Sequence, residues 1–105
     1  AEHFGAAGCT EICDASNEMP STFLRVNPLA AQCRDGLLAT LRGRGFDASV
    51  AGDTEWGIQV LGGPVPVTQQ PEYFDGTFEV QDESSQLMAS LVDCAPDDTV
   101  IDMCA

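Results

Sequence analysis

The sequence contains no lysine. Its only bases are Arg25, Arg34, Arg42 and Arg44, set against seventeen acids in 105 residues, for a formal net charge of −13 at pH 7. Phosphate affinity rests on Lys and Arg, so this balance argues against a free-standing nucleic-acid-binding module and for a solubilising acidic surface. No stretch approaches the ~20 consecutive apolar residues of a membrane-spanning helix, and no basic region followed by an apolar run marks a signal peptide. Short Cys-x-x-Cys pairs are missing too. The five cysteines (Cys9, Cys13, Cys33, Cys94 and Cys104) are odd in number, which reads as reduced thiols in a cytoplasmic protein. Cys9 and Cys13 share a helix face near His3, but no fourth ligand accompanies them, and no metal is expected. The apolar share, 44%, is that of an ordinary folded chain and argues against disorder.

Residues 2–15 read as a helix with Phe4, Ile12 and Cys13 as its apolar members, broken at Asn17, Met19 and Pro20. Residues 21–27 alternate as a strand, with Thr22, Leu24 and Val26 on one face and Phe23, Arg25 and Asn27 on the other. After Pro28 the spacing of Cys33, Leu37, Leu38 and Leu41 predicts a helix over 31–42 with one buried stripe, ended by Gly43 and Gly45. Two short strands follow, 46–50 and 56–61, with Trp56, Ile58 and Val60 sharing a face of the second. Strand, helix, strand, strand makes a small α+β unit with one helix packed on a sheet.

Gly62, Gly63, Pro64, Pro66 and Pro71 mark a linker that runs through a turn to Gly76. A strand over 77–81 and a helix from Asp82, a good N-cap, to about Asp93 come next, with Leu87, Met88, Leu91 and Val92 as the helix stripe. The last stretch, Thr99 to Cys104, is almost continuously apolar and suits a parallel strand covered on both faces. Such a strand needs neighbours reached by crossover connections, so the chain is expected to stop inside a larger domain. The expected division is a lead-in helix at 1–20, an α+β subdomain at 21–63, a linker at 64–76 and the start of an incomplete second domain at 77–105.

Three stretches carry a resemblance, in order along the chain. They are Leu24-Arg25-Val26-Asn27, then Phe74-x-Gly76-x-x-x-Val80-Gln81-Asp82-x-x-Ser85-Gln86, then Val100-Ile101-Asp102-Met103-Cys104-Ala105. Together they resemble the RsmB/Sun branch of the RsmB/NOP family of RNA 5-methylcytosine methyltransferases. The resemblance implies a Rossmann-like α/β methyltransferase domain preceded by an α+β subdomain. It implies transfer of a methyl group from S-adenosylmethionine to C5 of a cytosine in small-subunit ribosomal RNA, by a complete protein that is a monomer. Two family cysteines, one attacking C6 of the base and one assisting loss of the C5 proton, do the chemistry. None of the cysteines here stands in those contexts, so this chain alone is expected to be inactive.

On that resemblance Cys104 and Ala105 open the cofactor loop, and Asp102 either orients it or is an ordinary buried, hydrogen-bonded carboxylate. Gln81, Asp82, Ser85 and Gln86 either shape the rim of the base and cofactor pocket or simply cap and brace the helix they open. Phe23, Arg25 and Asn27 form an RNA-contact face, since bases stack on rings and guanidinium planes; the plainer alternative pairs Arg25 with one of the many acids. A competing reading of the whole chain is a free-standing acidic α+β module that binds a protein and catalyses nothing.

Overall fold

A computed structural model describes residues 3–18 and 20–103. The elements are α1 (Gly5–Asn17), β1 (Thr22–Val26), α2 (Arg34–Gly43), β2 (Asp47–Val50), β3 (Gly57–Gly62), a 3-10 turn (Val67–Gln69), α3 (Pro71–Phe74), β4 (Phe78–Val80) and α4 (Glu83–Ser90). The strands form one antiparallel sheet in the order β2-β3-β1-β4. β1 and β2 flank β3 and run parallel to each other, so β1-α2-β2 is a split β-α-β unit. β4, the strand expected to open a second domain, pairs with β1 and completes this same sheet.

The expected alternation of β1 holds. Leu24 and Val26 are fully buried and face α2, where Leu37 and Leu41 are equally inaccessible. Ile58, Val60, Ala48 and Phe78 come from the neighbouring strands, and Phe46 closes the end of this cluster. Burying a side chain of this size stabilises the fold by roughly 1.5–3 kcal/mol relative to leaving it in water. The C-terminus of α2 sets the angle at which the chain re-enters the sheet. Gly45, at φ +89°, occupies the left-handed position, and Phe46 N–H donates back to Leu41 O at 3.1 Å. That six-to-one bond, with both partners' side chains in the core, is a Schellman ending.

Several expectations need correction. α2 begins at Arg34 because Cys33 adopts an extended backbone as its N-cap, so the Cys33 side chain leaves the stripe and is exposed. Trp56 precedes β3 instead of sharing the Ile58 and Val60 face; it is 37% exposed, and its carbonyl accepts from Val26 N–H. The linker contains a 3-10 turn, whose Val67 is buried under the core. α1 forms where expected but buries none of its side chains. The helix stripe at 87–92 is exposed, and α4 ends at Ser90. The strand expected over 99–104 does not form among the described residues, where 99–103 are irregular and exposed. A nearly all-apolar strand is stable only when neighbouring strands take its edges and other layers cover its faces. The four-stranded sheet supplies neither to this segment. Cys104 lies outside the described residues.

Candidate binding cavity on the second face of the sheet

The face of β1 opposite α2 carries Phe23 and Arg25. The register sets Arg25 opposite Gly57 of β3 on one side and Glu79 of β4 on the other. Arg25 Nη2 donates to Glu79 Oε2 at 2.7 Å, so the plainer reading of this arginine, a partner among the acids, is the one observed. Gly57 has no side chain for a packing reason. A Cβ there would lie 2.0 Å from Thr54 Oγ1 and 2.6 Å from Ala51 Cβ. Its absence lets the 51–56 turn and α4 close over this end of the sheet.

α4 is anchored there by its own sequence. Asp82 accepts from Ser84 N–H at 3.1 Å and from the Ser84 hydroxyl, and these bonds hold its carboxyl below the usual carboxylate range. One turn on, Gln86 is only 6% exposed, and its Nε2 donates back to Gln81 O at 2.9 Å. Glu83 ties the same helix to the facing turn by accepting from Asp53 N–H at 3.0 Å. Between α4, the turn and the sheet lies a cavity of about 600 Å³, lined by Arg25, Asn27, Trp56, Glu79, Gln86 and Leu87 among others. This volume falls within the ~300–1,000 Å³ of small-molecule sites.

Of the residues singled out in the sequence, the fold brings Arg25, Asn27 and Gln86 to one cavity. Asn27 braces its edge, donating to Gly76 O and accepting from Leu29 N–H, each at 3.0 Å. Phe23 is half-buried on the same sheet face but outside the lining, and Ser85 points to solvent. Gln81 and Asp82 serve α4 as carbonyl acceptor and cap. Asp102 lies in the exposed 99–103 segment, and Cys104 and Ala105 lie outside the described residues. The described residues therefore assemble no cradle for S-adenosylmethionine. Thr54, Trp56 and Glu79 were missed. The signal for Trp56 was its place directly before a glycine, where a large ring beside a bare backbone marks a close approach.

Among the described residues no thiol lines the cavity, and no group of three or more His, Cys, Asp or Glu is placed to hold a metal ion. Nor does any helix of the described residues have the length and apolar character to cross a membrane. The arrangement can bind and orient.

No family model matches the chain. Individual proteins do. It is 41% identical over 93 residues to ribosomal RNA small subunit methyltransferase B of Pseudomonas syringae pv. tomato, covering 89% of this chain and 20% of that protein. The Bacillus subtilis protein named probable ribosomal RNA small subunit methyltransferase B is 31% identical over 105 residues, all of this chain and 23% of the relative. The Synechocystis protein of the same name is 29% identical over 102 residues. The chain spans about a fifth of the length of the curated relatives it matches.

Proposed function

From a chain that is a relative of ribosomal RNA small subunit methyltransferase B along about nine-tenths of its length, we infer a part of an enzyme that methylates ribosomal RNA. The reaction is transfer of a methyl group from S-adenosylmethionine to C5 of a cytosine in small-subunit ribosomal RNA. The observation that carries this reading is the 41% identity to the Pseudomonas protein, together with the ordered motifs from Leu24-Arg25-Val26-Asn27 to Asp102-Met103-Cys104-Ala105.

In this reading the α+β unit is the substrate-side platform. The Phe23, Arg25 and Asn27 face meets unpaired RNA through bases that stack on the Phe23 ring and the Arg25 guanidinium. Gln81, Asp82, Ser85 and Gln86 form the rim beside the reacting base. A Rossmann-like domain carries the catalytic cysteines, and the methyl donor is held beyond Cys104 and Ala105, with Asp102 orienting that loop. α4 and 99–103 belong to the start of that domain, and their exposed apolar side chains are covered by the rest of it. The complete enzyme works as a monomer in the cytoplasm.

The test is methyl transfer from labelled S-adenosylmethionine to small-subunit ribosomal RNA, with the modified base mapped by bisulfite sequencing. The 105-residue chain should be inactive. A protein that extends it through a catalytic domain should modify one cytosine. Absence of transfer by the extended protein, or a modified base other than cytosine, refutes the reading. A second reading, the acidic interaction module, is favoured by one observation: the core of the sheet is closed by residues that all lie between 24 and 78. A stable 105-residue product in cells, with no extended form, decides for it.

A further inference from the structure

The cavity beside Trp56 carries a charge that RNA contact leaves unused. Asp53, Glu55 and Glu79 line it against a single cation, Arg25, which is already engaged by Glu79. Arg34 sits near the rim, but its Nη1 donates to the Glu55 carbonyl at 2.7 Å and its Nε lies 3.6 Å from Asp35. Glu83 adds a further carboxylate beside Asp53. A phosphate brought here meets an excess of negative charge.

Two oxygens in the lining are also unmatched. Gln86 Oε1 and Thr54 Oγ1 are buried with no hydrogen-bond partner. Both face the bare backbone of Gly57, whose absent Cβ would stand 2.0 Å from the Thr54 oxygen and 3.4 Å from the Gln86 oxygen. A buried carbonyl oxygen without a donor destabilises the fold until a donor arrives. The adjoining indole attracts cations over its face. Acidic lining, unmatched acceptor and aromatic wall all ask for the same chemistry.

We propose that this cavity receives the guanidinium of an arginine presented by a basic peptide. A guanidinium is planar, weakly hydrated and made only of donors. It stacks on Trp56 while its N–H groups satisfy Gln86 Oε1 and the carboxylates of Asp53 and Glu55. An ammonium matches the charge but not the fork, and a nucleotide carries the wrong charge.

Trp56 is the only tryptophan in the sequence, so its emission reports on the cavity directly. The experiment titrates the 105-residue chain with acetyl-Gly-Arg-Gly-amide, with its uncharged citrulline counterpart, with agmatine and with cytidine monophosphate. The arginine peptide should give a saturable change that weakens with added salt, and citrulline should bind at least about tenfold more weakly. Asp53→Asn with Glu55→Gln, both on exposed side chains, should weaken the arginine peptide about tenfold without altering the far-UV circular dichroism. Gln86→Leu should weaken it as well, and binding to the Trp56→Phe variant, read by calorimetry, should fall. Equal binding of the arginine and citrulline peptides, no binding, or binding unmoved by the acid substitutions overturns the proposal. Agmatine binding as tightly as the peptide assigns the site to a free cation, and tighter binding of cytidine monophosphate assigns it to a nucleotide; either outcome overturns the peptide assignment.

Discussion

Single residues decide how closely the layers approach. Gly57 is the sharpest case, because a methyl group there collides with Thr54 and Ala51, neither of which is a long flexible side chain. Gly57→Ala should destabilise the fold by about 1–3 kcal/mol, read as a lower urea midpoint, and should widen the gap between α4 and the sheet. Leu24→Ala removes a fully buried side chain from the middle of the core and should cost about 2–5 kcal/mol by the same measurement. Away from the cavity, Arg44 grips Glu72 through both guanidinium nitrogens, at 2.7 and 2.9 Å, and also donates to Gln70. The hydrogen bond from Arg44 is the main cause that holds the Glu72 carboxyl below its ordinary value of 4.5. A carboxylate lowered in the folded state stabilises it above the unfolded value, and that contribution fades as pH falls through the folded one. The melting temperature of the native chain should therefore drop more steeply on acidification from about pH 5 to about pH 3 than that of Glu72→Gln.

At the level of elements, the sequence was most legible where periodicity met a partner inside the chain. β1, β2, β3 and β4 lie within a residue or two of their expected bounds, because alternation encodes a strand that has one face to bury. The stripe of Leu37, Leu38 and Leu41 was readable for the same reason. Periodicity failed where it described a surface with no counterpart here. The 99–104 segment has the composition of an interior strand, and α4 has an apolar stripe, yet Met88, Leu91, Val100, Ile101 and Met103 are all exposed. The cavity was half legible: Arg25 and Asn27 followed from alternation, whereas Trp56 and Thr54 depend on the close approach at Gly57. Leu91→Asp, a change on an exposed face, should move the stability of the 105-residue chain by no more than about 0.5 kcal/mol. In a protein that continues into a catalytic domain, the same substitution should lower both thermal stability and methyl transfer, as the proposed packing surface requires.

Across the whole molecule, charge and shape both depart from a compact domain. The Cα radius of gyration is 17.1 Å, against ~13 Å for a compact chain of about 100 residues. α1 buries none of its side chains, and 91–103 are exposed throughout. A shortened chain of residues 20–90 should keep the melting temperature of the whole within a few degrees, because the core cluster lies inside it. Seventeen acids against four arginines repel one another, and mobile ions screen that repulsion. Raising sodium chloride from about 10 mM to about 500 mM should therefore increase the melting temperature, the reverse of a fold held mainly by exposed ion pairs.

The sheet order has a consequence for synthesis. β1 is an interior strand, yet its second partner, β4, is encoded more than fifty residues later, with Arg25 opposite Glu79. At ~5–20 residues per second, the ribosome delivers that partner several seconds after β1 has emerged. During this interval one edge of β1 holds an unsatisfied row of peptide groups beside Leu24 and Val26, open to pairing with any other extended segment.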